Sequence, residues 1–297
     1  MISTTSNNTI CAIIVTYNPD NNLFELISTI SNQVNYIIIV DNNSSDQLIF
    51  KKLEFEKTYI IFNNQNFGIA KALNQGIKKA ITLDCDWVIT FDQDSKPKTN
   101  IVNKLLEIYL NCANNDDIGA IGTNFENQDK TRYKKVITEN NFSECEYLIT
   151  SGCLQPITNF SKFGFFREDY FIDNVDLEFS LRLRSKNKKL LISNESYMIH
   201  NAGNDPIRRN ILGIQFIASN HNSFRRYFMS RNHILLCKQY FIKFPKFIIK
   251  TSFFYILSIF SILILEKNKF KKIFNSFSGL IDGIFNLNKY ESRFRSN

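Results

Sequence analysis

A mostly parallel sheet covered by helices on both faces, an α/β fold, follows from three features of this chain. Short, uniformly apolar runs alternate with stretches of helical periodicity. The apolar runs lack the in–out alternation of a half-exposed strand, so they read as strands buried on both faces. Polar segments rich in Asn and Asp stand directly after them, where an open α/β sheet binds its ligands. Composition agrees with a globular chain: 44% of the 297 residues are hydrophobic and 22% are charged, which argues against disorder. The length suggests one large domain, or a domain with a substantial tail.

The elements can be taken in order. Ile10–Val15 is a buried-strand run, ended by Thr16-Tyr17-Asn18-Pro19. Leu23, Leu26, Ile27 and Ile30 then form a helical stripe. Tyr36–Val40 is the second strand, with Asp41-Asn42-Asn43-Ser44-Ser45-Asp46 as its turn, and Tyr59–Phe62 is the third. Ile69, Ala72, Leu73, Gly76, Ile77 and Ala80 line one face of the next helix. Trp87–Phe91 is the fourth strand, Ile101–Tyr109 a helix, and Ile118–Gly122 another strand. Residues 123–150 read as an irregular polar excursion. Asp173–Arg184 begins with carboxylates and runs into a helix, an arrangement that suits the helix dipole. Lys188–Ser193 reads as one short strand, and a further strand ends on His200.

Charge is unevenly spread. Residues 221–297 hold 14 Lys/Arg against 3 Asp/Glu, whereas residues 1–220 hold 22 against 25. A basic tail on a near-neutral body points to an anionic surface as partner. The six cysteines show no C-x-x-C pair and no metal-finger spacing, so they read as reduced, buried residues. No basic n-region or apolar h-region stands in Met1–Asn8. A signal peptide is therefore not expected, and the cytoplasm is the expected compartment.

The chemistry centres on Thr90-Phe91-Asp92-Gln93-Asp94-Ser95. Two carboxylates two residues apart at a strand end are hard oxygen donors, of the kind a divalent cation carrying phosphate oxygens requires. Topology brings other strand ends to the same crevice. Thr16–Asn18, Asp41–Asn43, Asn66–Gly68 and Asp92–Asp94 should converge on one site.

Several segments, taken in order, resemble glycosyltransferase family 2. They are Val15-Thr16-Tyr17-Asn18-Pro19, Ile39-Val40-Asp41-Asn42-Asn43-Ser44-Ser45-Asp46, the set Asn66, Gly68, Ala72, Asn74 and Gly76, Phe91-Asp92-Gln93-Asp94-Ser95, Ser151-Gly152, the run from Ile172 to Arg182, and His200 with Gly203. The nearest branch is the bacterial rhamnosyltransferases of cell-surface polysaccharide synthesis. The resemblance implies a GT-A fold and inverting transfer from a nucleotide-sugar donor, a dTDP- or UDP-sugar, with Mg²⁺ or Mn²⁺ as cofactor. It would place Thr16, Tyr17 and Asn18 in the nucleoside pocket, with Asp41 accepting from the pyrimidine ring N–H. Asn66, Gly68 and Lys71 would lie near ribose and diphosphate, Asp92 and Gln93 on the nucleotide side, and Asp94 on the metal. His200 would be a further ligand or a diphosphate donor. Ser151, Gly152 and Cys153 would form the floor between donor and acceptor. Asp176 takes the general-base position, in the pair Val175-Asp176 where the wider family has Glu-Asp. Asp173 is an alternative base and Glu178 a support.

The tail adds a partner. Phe247–Leu265 is apolar for 19 residues apart from Lys250 and a few hydroxyl residues, long enough to span a bilayer. Lys238, Lys243 and Lys246 flank it before; Lys267, Lys269, Lys271 and Lys272 flank it after. Flanks of equal sign suit a segment lying at an anionic membrane surface better than one crossing it. Nucleic acid fits poorly, because the cations frame an aliphatic block instead of a polar groove. Gly279-Leu280-Ile281-Asp282-Gly283 resembles a packing segment that closes many family members. The expected organisation is a catalytic domain over 1–220 and a helical, membrane-associating region over 221–297, peripheral on the inner face of the cell membrane. The reading is L-rhamnose transfer from dTDP-rhamnose onto a lipid-linked or other saccharide acceptor. A UDP-hexose transferase and a catalytically silent nucleotide-sugar-binding scaffold are its rivals.

Overall fold

The computed structural model describes residues 8–53, 56–112, 114–127, 141–200, 207–211, 214–218 and 220–287. Its contacts divide the chain into two compact units. The first comprises Met1–Glu168 with Phe179–Asn201, and the second Asp169–Glu178 with Ala202–Asn297.

The first unit is built on one sheet. Strands β1 (Ile10–Thr16), β2 (Tyr36–Asp41), β3 (Thr58–Phe62) and β4 (Trp87–Asp92) alternate with helices α1 (Asn22–Ile30) and α2 (Ile69–Thr82). Short β5 (Lys96–Pro97) and α3 (Ile101–Asn111) follow, then β6 (Ile118–Asn127), β7 (Phe142–Glu144), β8 (Cys153–Pro156) and α4 (Thr158–Phe163). Helix α5 (Val175–Ser185) starts in the segment belonging to the second unit and leads to β9 (Lys189–His200). The strand order is β3-β2-β1-β4-β8-β6-β9-β5, with β7 paired to β9.

The first four strands are parallel, and their registers align the polar ends: Thr16 lies beside Asp41, and Val15 beside Asp92. Ala12, Ile13, Ile14 and Ile38–Val40 are wholly inaccessible. Burial on both faces is why these strands read as continuous apolar runs, each such large side chain contributing about 1.5–3 kcal/mol. Beyond β4 the sheet is mixed. β8 is antiparallel to both β4 and β6, whereas β6 and β9 are parallel. Gly152 leads into β8 with a φ of 72°, and its N–H donates to the Thr90 carbonyl of β4 at 2.8 Å. A Cβ there would sit 3.1 Å from both Met198 and Thr123.

Two local readings change. β9 is one twelve-residue strand, where the sequence read as a short strand over Lys188–Ser193 and a further one ending on His200; its pairing with β6 carries register shifts. β6 continues to Asn127 and β7 covers Phe142–Glu144, both within the stretch read as an irregular polar excursion.

In the second unit, β10 (Ile207–Ile211) and β11 (Ile214–Ala218) form a two-stranded sheet. Three helices follow: α6 (Ser223–Tyr240), α7 (Pro245–Leu265) and α8 (Lys269–Ile284). The Asn222 side chain caps α6 by accepting from the Arg225 N–H at 2.8 Å. Gly279 and Gly283 let α8 lie against α6. A Cβ on Gly279 would run into the Tyr227 carbonyl, and one on Gly283 would lie 2.8 Å from the Arg231 carbonyl. Among the described residues one helix, α7, is long and apolar enough to cross a membrane, with a mean hydropathy of 2.1.

Lys272 is a correction. The sequence placed it in the cationic flank, but it is buried in a charge cluster. Its Nζ donates to Glu266 at 2.9 Å and to Asn220 at 2.7 Å, while Arg226 donates to the other Glu266 oxygen at 2.6 Å. Burial pushes the Glu266 carboxyl up, but the Lys272 hydrogen bond and the Arg226 charge outweigh it and hold the group below its ordinary value.

Candidate functional site

The four strand-end loops of the first unit meet. Thr16 Oγ1 donates to Asp41 at 3.0 Å, and the Asn42 N–H donates to the Thr16 carbonyl at 2.8 Å. Asn18 closes the same junction: its N–H donates to Ser44 Oγ at 2.7 Å, and its side-chain oxygen accepts from both N–H and Oγ of Ser45. The third loop joins through Asn42, which donates to the Gly68 carbonyl at 3.1 Å and accepts from Asn63 at 2.9 Å. Asn66 accepts from the Gly68 N–H at 2.9 Å, and Lys71 lies 4.0 Å over the Phe67 ring. The fourth loop joins through Gln93, which accepts from the Tyr17 N–H at 2.7 Å and donates back to its carbonyl at 3.3 Å.

Exposure separates these residues into two groups. Thr16 and Asp41 are wholly inaccessible. Asp41 also accepts from the Ser44 N–H at 2.9 Å and from the Ser44 hydroxyl, so it ties two loops together and presents no accessible surface. Tyr17 and Asp94 are exposed, and Asp92 and Gln93 are half-buried. Among the described residues the Asp94 carboxylate has no hydrogen-bonding partner. Among the described residues no group of three or more His, Cys, Asp or Glu gathers as a ready cation cage. One or two carboxylates fit a Mg²⁺-type ion that completes its shell with water and substrate phosphate, so the donor set suits a cation arriving with a diphosphate. The His200 side chain and Gly203 lie outside the described residues; the backbone of β9 reaches His200 beside Asn127.

Ser151 stands next to this cluster, its Oγ 2.6 Å from that of Ser95. Gly152 and Cys153 are buried beneath it. A cleft of ≈ 400 Å³ opens at Ser151, with Gly122, Thr123, Tyr147, Leu148 and Ile149 in its walls.

In the second unit, Asp176 stands in the first turn of α5. Burial pushes its carboxyl up to about 6, against the Leu177 N–H bond at 2.8 Å that would lower it; the Asp173 charge pushes the same way as burial. Asp173 is held by a forked pair with Arg225, at 2.8 and 3.0 Å, which occupies it as an acceptor. Glu178 is buried and accepts from Tyr240 at 2.9 Å.

Sequence reasoning missed Asn232. Its side-chain amide donates to the carbonyls of Tyr170, Ile172 and Asp173, each at 2.9 Å. Beside it, Arg231 donates to the Asp169 carbonyl at 2.9 Å. These bonds from α6 hold the turn leading into Asp176, in which Phe171, Asp173 and Asn174 all have positive φ. Such conformations persist where surrounding structure over-determines them. No local sequence pattern points to this role, because the partners lie about sixty residues away in the chain.

The family profile named Glycosyl transferase family 2 matches residues 11–174, more than half of the chain. The chain belongs to glycosyl transferase family 2. It is a glycosyltransferase, and a full-length relative supports the rhamnosyl branch. The dTDP-rhamnosyl transferase RfbF of Shigella flexneri is 30% identical over 294 residues, covering 94% of this chain and 96% of that protein. A dolichol-phosphate mannosyltransferase of Pyrococcus furiosus is 31% identical over 141 residues, 44% of this chain and 38% of its own length. Among solved structures, GalNAc-T7 with UDP, GalNAc and Mn²⁺ aligns with a TM-score of 0.60 at 12% identity, over 81% of this transferase and 49% of that chain. S. aureus TarS 1-349 in complex with UDP-GlcNAc aligns at 0.52 and 13% identity, over 97% and 74%. These likenesses establish the shared GT-A-like fold.

Proposed function

We propose that this transferase moves L-rhamnose from dTDP-rhamnose onto a lipid-linked saccharide in surface polysaccharide synthesis, by a single inverting displacement assisted by Mg²⁺ or Mn²⁺. The observation that carries the reading is the meeting of four strand-end loops around Asp94, an exposed carboxylate without a partner among the described residues. The rhamnosyl donor rests on the full-length similarity to a dTDP-rhamnosyl transferase.

Each role follows from local chemistry. Tyr17 and Asn18 wall the nucleoside pocket, with buried Thr16 behind them holding Asp41, and Asp41 fixes that wall and reads the ring N–H once the loops around it open. Asn66, Gly68 and Lys71 serve ribose and diphosphate, and Asp92 and Gln93 the nucleotide side. Asp94 would hold the cation, with His200 as a further ligand or diphosphate donor. The cation would neutralise charge developing on the leaving diphosphate without proton transfer. Ser151, Gly152 and Cys153 support the acceptor side. Asp176 takes the proton of the acceptor hydroxyl, a contribution of about 10²–10⁴-fold; a carboxyl pushed up to about 6 is a better proton acceptor than an ordinary aspartate and stays ionised at neutral pH. Residues 1–220 carry the catalytic work and 221–297 hold the enzyme at the cytoplasmic face of the membrane.

The test is release of dTDP or UDP from a panel of sugar nucleotides by the purified enzyme, with a membrane lipid extract as acceptor source. The proposal expects turnover of dTDP-rhamnose that needs added Mg²⁺ or Mn²⁺. Turnover of a UDP-hexose alone would overturn the donor, and binding without turnover of any donor and acceptor would favour a scaffold.

A further inference from the structure

Helix α8 is amphipathic in the wrong sense for a soluble protein. Its inward face carries Lys272, Ser276, Gly279, Asp282 and Gly283, all buried. Its outward face carries Phe270, Phe274, Phe277, Ile281 and Ile284, spaced four, three, four and three residues apart. All five are exposed, Phe270 at 94% and Phe274 at 65%. Helix α7 shows the same excess, with Ile249, Phe253, Ile256, Phe260 and Leu263 exposed. An apolar face of this extent marks a surface that something covers.

Charge identifies the occupant. From residue 221 to 287 the acidic residues are Glu266 and Asp282, and both are buried: Glu266 against Lys272 and Arg226, Asp282 accepting from the Tyr227 hydroxyl at 2.8 Å. The lysines Lys238, Lys243, Lys246, Lys250, Lys267, Lys269 and Lys271 are exposed. The accessible surface of these helices therefore presents aromatic and aliphatic side chains framed by cations, with its anions withdrawn inside. A second copy of the chain would set one lysine frame against another, and lysine is depleted at protein interfaces. An anionic bilayer satisfies both features, since the ring faces enter the headgroup–acyl boundary while the lysines meet lipid phosphates.

We infer that the outward faces of α7 and α8 form one docking surface for an anionic lipid bilayer, lying in its plane, with the phenylalanine stripe of α8 as its principal anchor. The sequence pointed to 247–265 for membrane contact and to 279–283 for packing alone. In the structure α8 packs with one face and offers the other. The inference rests on the membrane attachment proposed for residues 221–297 and names the faces that make it; it uses neither the donor nor the catalytic residues, so its failure is distinguishable from failure of the assigned reaction.

The test is flotation of the full-length enzyme with phosphatidylcholine vesicles, with and without phosphatidylglycerol, beside the variant Phe274→Asp/Phe277→Asp and the variant Lys269→Glu/Lys271→Glu. Wild type should float with anionic vesicles and be released by salt or alkaline carbonate. Both variants should bind at least about tenfold more weakly, while their circular dichroism and nucleotide-induced thermal shift match wild type. Flotation unaffected by the Phe274/Phe277 pair would overturn the anchor. Resistance to alkaline carbonate would replace docking by a spanning α7. Wild-type dimers that dissociate in the Phe274/Phe277 variant and ignore vesicles would assign the face to a second copy.

Discussion

In Asp176, the proposed base, chemistry and stability pull in opposite directions. Its carboxyl is raised from an ordinary 3.8 to about 6, chiefly by burial. A carboxyl whose folded pKa is raised binds its proton more tightly in the folded state, so folding gains as pH falls through about 6 toward 3.8. At neutral pH the ionised form instead weakens the fold, by up to about 3 kcal/mol for a two-unit shift. Asp176→Asn should therefore raise the unfolding temperature at pH 8 and lose that advantage near pH 4, while lowering kcat by about 10²–10⁴-fold with donor affinity retained. Calorimetry at the two pH values and donor titration check this together; a variant that loses donor binding would move Asp176 out of the base role. Wild-type kcat/KM should also fall below pH about 6, with a slope of one proton.

At the scale of elements, α6 holds the turn before Asp176, the proposed base, through Asn232. Asn232→Ala strands three backbone carbonyls of the turn before Asp176 and should cost about 1–3 kcal/mol of stability. A purely structural role would stop there. The positioning role predicts in addition a displaced acidic limb in the pH–rate profile, with the donor KM unchanged. Glu266→Ala tests the other end of the same helix, where Arg226 and Lys272 would remain as two buried, unpaired cations. Loss of about 3–5 kcal/mol is expected in urea denaturation. These contacts show where the sequence stops being legible. Apolar runs such as Ile10–Val15 and Trp87–Phe91 announced their strands because burial on both faces constrains every position. The convergence of Thr16, Asp41, Gly68 and Gln93 followed from strand order alone. Asn232 and Lys272 reach partners roughly 60 and 50 residues away, and no local pattern reports such pairing. The same holds for Asp41, whose burial and bonds to Thr16 and Ser44 depend on loop geometry.

For the whole molecule, donor binding provides the most direct readout, because a ligand held only by the folded state raises stability by mass action. At a hundred times Kd the gain is about 2.7 kcal/mol, which moves the unfolding temperature of a chain this size by several degrees. dTDP-rhamnose with Mg²⁺ or Mn²⁺ should produce that shift, and chelation should remove most of it, since Asp94 has no cationic partner among the described residues to hold a diphosphate unaided. Asp94→Ala should then behave in the presence of metal as wild type behaves under chelation, with the metal-free shift unchanged. Equal metal dependence in wild type and Asp94→Ala, read in the same thermal scan, would move the cation to other ligands, and His200 would be the first residue to test by the same substitution.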